Sequence, residues 1–299
     1  MENLAPIIVF AFNRPESLKN TIQCLSLNIE SSASDLYVFV DGARIGKADE
    51  LEKVCAVHKY VESISGFRSL HYIFSDTNKG LGLSIIEGVS KIINAYGRVI
   101  VLEDDLEVSR NFLAFMNQGL DRYKHEQKIF SVCGYTNKVK ALSDYKADAY
   151  FCTRSSSWGW ATWRDRWESV DWDLKDWHKY DKLGKRFNQW GGSDCHKMLK
   201  DWKHGKNQSW AIRFCFNQFL QDKLSLFPII SKVNNNGFDG NGTNCKRYNR
   251  FKCDFDLSEK KAFTFPDCIK IDKRIFKSVM TYNSLALRIW SRFMYILYK

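Results

Sequence analysis

Apolar runs alternate with amphipathic stretches through the first hundred residues. Apolar runs bounded by charged or turn-forming residues are typical of strands buried inside a parallel sheet. Apolar positions spaced like Leu18, Ile22 and Leu25, behind Pro15 in a first turn, indicate helices. The predicted strands are residues 6–12, 36–40, 70–74 and 99–102, and the predicted helices start at Pro15, near 47 and near 83. This order predicts an α/β fold with a doubly wound, mostly parallel sheet and helices on both faces.

Three consecutive carboxylates, Glu103, Asp104 and Asp105, follow the strand 99–102 directly. In open α/β sheets the ligand site lies beyond the carboxyl ends of the strands. Buried carboxylates without a partner cost several kcal/mol each, and a divalent cation with oxygen ligands, Mg²⁺ or Mn²⁺, is the simplest partner. Such a metal takes one or two protein carboxylates and completes its shell with phosphate and water. The sequence therefore predicts a strand-end metal site for a diphosphate, with a solvated acidic loop as the alternative.

Two other predicted strands also end in polar residues, the first in Asn13-Arg14 and the second in Asp41-Gly42. Gly80 and Gly82 open the third helix, but they lack the third glycine of a dinucleotide-binding fingerprint. A plain turn is therefore favoured there over a phosphate-binding loop.

Nine of the ten tryptophans lie between Trp158 and Trp210. Indole rings stack well on the C–H faces of sugars, although they also build apolar cores. Trp158 and Trp160 flank a glycine that permits close approach, so we expect these two to face a ligand. The sequence further predicts a helix over 110–125, a strand over 129–133, a helix over 208–220 and a strand over 224–228. The Asn- and Gly-rich stretch 234–244 is predicted to be a loop, of the kind that often covers a ligand.

The tail beyond Asp272 contains no acidic residue and six basic ones. On a single helix, its apolar positions 275, 279, 282, 286, 289, 293 and 296 share one face, and the basic positions 277, 288, 292 and 299 share the other. A basic amphipathic helix indicates an in-plane anchor on anionic lipid, with a packed terminal helix as the alternative.

The net charge of +11 owes much to this tail, which argues against nucleic-acid binding. Nine cysteines without a C-x-x-C pair disfavour a disulfide framework and a structural zinc site, and predict a reducing, cytoplasmic setting. The sequence also shows no targeting signal and no run of apolar residues long enough to span a membrane.

On these motifs the chain resembles the GT-A nucleotide-sugar glycosyltransferases, in particular the fold of the Golgi N-acetylglucosaminyltransferase I and its bacterial sugar-transferase relatives, over residues 5–245. Asn13-Arg14 is similar to the family's donor loop, Asp41 stands where the family recognises uracil, and Glu103 to Val108 matches its acidic motif. The resemblance implies that Asp105 ligates the metal and that Glu103 and Asp104 contact the nucleotide-sugar.

The match breaks at the general base, which the family carries as an Asp directly after a Trp. Here Trp210 is followed by Ala211, which cannot accept a proton. Asp165, downstream of the Trp-Gly-Trp motif, and Asp239, in the predicted loop, are the two candidate catalytic carboxylates.

The resemblance thus implies a hexosyltransferase that uses Mn²⁺ or Mg²⁺ and moves a sugar from a UDP-sugar to a saccharide or lipid-linked acceptor in bacterial surface polysaccharide synthesis. Trp158, Trp160 and Trp210 would bound its sugar and acceptor pockets. We expect a nucleotide-sugar-binding half over 1–150, an acceptor and lid region over 151–260, and a tail over 261–299 that places the protein peripherally on the cytoplasmic face of the inner membrane.

Two other functions stay open. A sugar nucleotidyltransferase would carry a glycine-rich phosphate loop near its start, and Ala11 to Arg14 lacks the glycines. A non-catalytic carbohydrate- or membrane-binding protein on the same fold would explain Ala211.

Overall fold

The computed structural model describes residues 4–138, 144–237 and 251–297. Its strands are β1 (Ile7–Ala11), β2 (Asp35–Val40), β3 (Ser69–Phe74), β4 (Arg98–Glu103), β5 (Leu106–Val108), β6 (Ile129–Cys133), β7 (Ala149–Cys152), β8 (Trp160–Trp163), β9 (Leu224–Pro228) and β10 (Val233–Asn235). Its helices are α1 (Pro15–Ser26), α2 (Ala48–Glu62), α3 (Leu81–Tyr96), α4 (Phe112–Arg122), α5 (Arg164–Glu168), α6 (Trp177–Asp181), α7 (Gly184–Gly191), α8 (Cys195–Lys203), α9 (Trp210–Leu220), α10 (Lys273–Tyr282) and α11 (Leu285–Leu297).

Eight strands form the central sheet in the order β3-β2-β1-β4-β8-β6-β9-β7. The first four are parallel to one another, and β6 and β9 run in the same direction, whereas β7 and β8 run the opposite way. The predicted fold class, an α/β fold with a mostly parallel sheet, is therefore confirmed.

Helices cover both faces of the sheet, which explains why β1 is buried along its whole length. One face packs on α1, α2 and α4 through residues such as Leu18, Val54 and Phe115. The other face packs on α3, α5 and α9, with Ile85 and Phe214 in its core. A third apolar cluster holds the short helices α7 and α8 against α9.

A second, two-stranded sheet pairs β10 with β5, so that Val233 lies opposite Val108 and Asn235 opposite Leu106. The predicted loop over 234–244 is thus wrong at its start, where Asn234 and Asn235 belong to β10. The partner strand β5 lies more than a hundred residues away, so no local sequence pattern could predict this pairing. Residues 238–244 lie outside the described part of the chain.

The predicted single tail helix is two helices, α10 and α11, separated at Asn283-Ser284. Asp272 caps α10 by accepting hydrogen bonds from the backbone N–H groups of Arg274 and Ile275. The Ser284 hydroxyl accepts from the backbone N–H of Leu287 at 3.3 Å and so caps the second helix. None of the described helices is long and apolar enough to cross a membrane.

Candidate functional site

The polar residues that follow β1, β2 and β4 meet at one edge of the sheet. β1 lies between the other two strands and is parallel to both, so the three carboxyl ends are neighbours. This carboxyl edge collects Asn13 and Arg14, Asp41, and the acidic turn Glu103–Asp105. The structure therefore brings together the residues predicted to bind the nucleotide-sugar and the metal.

Arg14 connects this edge to the acidic turn. Its Nη1 donates to Asp105 Oδ2 at 3.2 Å, and its Nη2 lies 3.6 Å from Asp104 Oδ1. The backbone N–H of Phe12 donates to Asp104 Oδ2 at 3.4 Å, and the Thr21 hydroxyl donates to the Asp104 carbonyl at 2.9 Å. Asp104 and Asp105 are both buried, with 5% and 8% of their respective surfaces exposed.

The acidic turn is dominated by negative charge. Burial raises the pKa of Asp104 to about 7, although Arg14 opposes the shift. Burial also raises the pKa of Glu103, and the charges of Asp105 and Asp104 raise it further. Burial thus opposes ionisation of Asp104 and Glu103, and a bound divalent cation would favour their ionised forms.

The donor set fits Mg²⁺ or Mn²⁺ held by few protein ligands. Within the described ranges, no three His, Cys, Asp or Glu side chains are arranged to hold a metal among themselves. A hard cation bound through a nucleotide diphosphate needs only one or two protein carboxylates. The Asp105 carboxylate at the acidic turn can supply such a ligand.

A second turn, after β10, packs against Asp105. The backbone N–H of Asn236 donates to the Asp105 carbonyl at 3.0 Å, and that of Gly237 donates to Asn235 Oδ1 at 2.7 Å. A Cβ atom at Gly237 would lie 2.4 Å from Asp105 Oδ2 and 3.0 Å from Asn235 Oδ1. A side chain at position 237 would therefore displace the Asp105 carboxylate, and we call Asn235–Gly237 the clasp. These residues belong to the Asn- and Gly-rich stretch predicted to cover a ligand, but only the β5–β10 pairing brings them to Asp105.

Asp41 is already engaged with the backbone. Its Oδ1 accepts from the N–H groups of Gly42 at 3.1 Å and Lys79 at 2.8 Å, and its Oδ2 accepts from Gly80 at 2.8 Å. The carboxylate thus braces the glycine turn before α3, where Gly80 has the left-handed φ of +78°. These N–H groups donate to the Asp41 carboxylate, in keeping with the expected plain turn rather than a phosphate-binding loop. Uracil recognition by Asp41 stays a prediction.

The two glycines also allow α9 to start against α3. A Cβ atom at Gly82 would lie 2.2 Å from the Gln208 carbonyl oxygen, and one at Gly80 would lie 2.5 Å from Gln208 Oε1. Ser209 caps α9 by accepting from the Ile212 N–H at 3.3 Å. Ala211, where the resemblance expects a general base, therefore lies close to the carboxyl edge.

The three candidate tryptophans have different surroundings. Trp158 precedes β8, at the end that pairs with the late residues of β4, and its partly buried ring packs edge-on against Tyr135 and Phe251 with centroids 4.6 and 5.4 Å away. Trp160 and Trp210 are 1% and 5% exposed and stack on each other at 4.8 Å in the core. The expected sugar-stacking role is therefore corrected for Trp160 and Trp210, because neighbouring rings and helices cover their faces.

Asp165 lies at the wrong edge of the sheet to act with Asp105. Because β8 is antiparallel to β4, Trp163 pairs with Arg98 at the start of β4, and α5 begins there. The five residue steps of β4 span roughly 16 Å. Arg166 and Gln127 hold the Asp165 carboxylate at 2.7 and 2.8 Å. The prediction of a catalytic Asp165 is corrected, and Asp239, the other candidate, lies outside the described residues.

No protein-family model matches the chain, and no curated protein matches it. Similar solved structures include the mannosyltransferase PcManGT from Pyrobaculum calidifontis in complex with GDP-Man and Mn²⁺, with 14% identity over 61% of this chain and 53% of that one and a TM-score of 0.36. S. aureus TarS matches at 13% identity over 48% and 23% of the two chains, with a TM-score of 0.32. A UDP-glucose pyrophosphorylase complexed with UDP-glucose matches at 11% identity over 76% and 91%, with a TM-score of 0.38.

The chain thus spans about half the length of the mannosyltransferase and about a quarter of TarS. At TM-scores below 0.5 these matches describe partial similarity of fold and carry no functional argument. The fold is similar in part to that of a mannosyltransferase and of a pyrophosphorylase.

Proposed function

We propose that the chain is a metal-dependent glycosyltransferase that moves a sugar from a UDP-sugar to a saccharide or lipid-linked acceptor. The observation that carries the proposal is the acidic turn. Two buried aspartates and a partly buried glutamate follow one another at the edge of the sheet where α/β folds bind ligands, and Arg14 contacts both aspartates. Such a group of adjacent carboxylates suits a cation that is itself bound to a diphosphate.

In this proposal Asp105 holds Mn²⁺ or Mg²⁺, and the metal when bound supplies Lewis-acid stabilisation of the departing diphosphate. Asp104 and Glu103 orient the nucleotide-sugar from the same turn. The Arg14 guanidinium, which lies within 4 Å of both aspartates, offers donors to phosphate oxygens. Asn13 and Asp41 border the nucleotide from the ends of the neighbouring strands.

Trp158 is the tryptophan whose placement supports an acceptor role, since it lies at the carboxyl edge and is partly exposed. The acceptor hydroxyl requires a general base. Ala211 cannot serve, so the proposal assigns the proton transfer to Asp239. The setting is bacterial surface polysaccharide synthesis, in the cytoplasm and peripherally at the inner membrane.

The test is UDP release from a panel of UDP-sugars by the purified chain, with Mn²⁺ or with chelator. Asp105→Ala should lower the metal-dependent rate by about 100-fold or more, because Lewis-acid stabilisation is lost. Asp165→Ala is the matched control, since it removes an aspartate from the opposite edge, and should keep the rate within about twofold.

Three outcomes would overturn the proposal. Formation of UTP from a UDP-sugar and pyrophosphate would identify a nucleotidyltransferase. Calorimetric binding of UDP without turnover on any donor and acceptor would favour a non-catalytic binding protein. If UDP does not bind to the folded chain at all, the nucleotide site is wrong.

A further inference from the structure

The helix α11 is amphipathic in an inverted sense, because its apolar side faces outward. Leu285, Ile289, Trp290 and Phe293 expose 60%, 59%, 53% and 52% of their surfaces. The rings of Trp290 and Phe293 lie 5.9 Å apart and form one continuous apolar surface. We call these four residues the outer face of α11.

Polar contacts to the body of the protein hold the helix in this orientation. Ser291 is 3% exposed on the inner side. Arg288 Nη1 donates to the Ser193 hydroxyl at 3.3 Å, and that hydroxyl donates to the Asn283 carbonyl at 3.0 Å. The side of α11 that faces the body thus makes polar contacts through Arg288 and Ser291, while the largest exposed apolar side chains of the helix point away from the body.

The preceding helix α10 behaves in the ordinary way. Its Ile275 is 2% exposed and belongs to a core cluster with Tyr150 and Phe227, against which Phe276 and Val279 also pack. The fold thus uses part of the apolar face predicted for the tail and leaves the outer face of α11 to another surface.

We propose that the outer face of α11 docks on an anionic lipid bilayer, with the helix lying in the plane of the interface. Charge identifies the occupant, since no acidic residue follows Asp272. Lys273 and Lys277 on α10 and Arg292 on α11 are exposed, and the described ranges show no ion pair for any of the three. Trp and Phe beside basic residues are typical of helices at a membrane surface. Thirteen residues are too few to span it.

The turn between α10 and α11 is fixed to the body of the protein. The backbone N–H and the hydroxyl of Ser193 both donate to the Asn283 carbonyl, at 3.1 and 3.0 Å. The docking surface does not rest on the proposed function, whereas the supply of a lipid-linked acceptor by the bound membrane does.

The test is co-sedimentation of the full chain with phosphatidylcholine vesicles that contain or lack phosphatidylglycerol. The double variant Trp290→Ser/Phe293→Ser should bind anionic vesicles at least about tenfold more weakly. Leu257→Ser is the matched control, because Leu257 is 85% exposed far along the chain from α11, and it should bind as the original chain does. Lys277→Gln/Arg292→Gln should weaken binding to anionic vesicles and make it less sensitive to salt.

Equal binding by the double variant, or no binding to anionic vesicles, would overturn the proposal. Concentration-dependent dimerisation that the same double variant abolishes would instead assign the outer face to a second copy. Circular dichroism shows whether each variant is folded. Asp105→Ala should bind vesicles as the original chain does. The Trp290→Ser/Phe293→Ser variant should still release UDP in solution. The vesicle assay therefore tests the docking surface, and the UDP assay tests the proposed function, independently of each other.

Discussion

Asp35 and Asp104 are equally buried aspartates at opposite edges of one sheet, and each faces an arginine. Asp35, 7% exposed at the start of β2, accepts from Arg68 at 2.7 and 2.5 Å, from Ser69 at 2.6 Å and from Tyr96 at 3.2 Å. These donors, Arg68 first, hold its pKa well below the ordinary range. Asp104 shares Arg14 with a second aspartate, and burial raises its pKa to about 7.

The difference shows that an aspartate–arginine contact does not by itself indicate function. Asp35 has a full set of donors, so its charge stabilises the fold. At the acidic turn, burial raises the pKa of Asp104 and Glu103, so their charges cost folding energy that a bound cation would recover. Substitutions at the two edges should therefore have opposite effects on stability and on binding.

The largest effect is expected from Asp35→Asn, which removes the charge that Arg68 and two hydroxyl groups stabilise. We expect it to lower the free energy of unfolding by about 2–4 kcal/mol. UDP release per folded molecule should be unchanged. Urea denaturation and the turnover assay measure the two quantities, and a loss of turnover at full stability would contradict the comparison.

Gly237→Ala tests the clasp. A methyl group 2.4 Å from Asp105 Oδ2 would force the carboxylate to move, so Mn²⁺ should bind about 10–100-fold more weakly in the presence of UDP. Calorimetric Mn²⁺ titration measures this directly. Asn234→Ala is the control, because the Asn234 amide donates to Glu107 at 3.1 Å, and it should leave Mn²⁺ affinity nearly unchanged. An equal loss of Mn²⁺ affinity in both variants would contradict the role of the clasp.

The pH dependence of stability should have opposite signs at the two aspartates. The unfolded chain releases the Asp104 proton near pH 4, whereas the folded, metal-free chain keeps it to about pH 7. Stability therefore falls as the pH rises between these values, by up to about 1.4 kcal/mol per pH unit for this group. Asp35, whose pKa is lowered, contributes stability that is lost instead as the pH falls below about 4.

Urea denaturation in chelator at a series of pH values from about 5 to 8 measures the Asp104 contribution. Asp104→Asn should flatten the decline in stability, while Asp35→Asn should not. An unchanged slope in Asp104→Asn would show that another group titrates there.

The smallest effect is expected from Asp165→Asn. Its carboxylate is about half exposed, so the ion pair with Arg166 should contribute only about 1 kcal/mol. Turnover should stay within about twofold. Thermal unfolding and UDP release check both expectations, and a large loss of turnover without unfolding would return Asp165 to the catalytic candidates.

Much of the carboxyl edge was predictable from local sequence. Apolar runs that end in Asn13-Arg14, Asp41 and Glu103–Asp105 mark strand ends, and parallel strands carry their carboxyl ends to one edge. Local pattern could not show that Asp41 would brace the turn before α3, because its partners Lys79 and Gly80 lie almost forty residues away.

The sequence by itself determined the fold class, the acidic turn and the helical character of the tail, because burial period and strand-end polarity are local properties. Tertiary structure decided the rest. The antiparallel direction of β8 sent Asp165 to the far edge, and packing between α3 and α9 buried Trp160 and Trp210. Pairing of β5 with β10 placed Gly237 on Asp105, and contacts with Ser193 turned the apolar side of α11 outward. Each depends on residues that are distant in sequence, which no local pattern specifies.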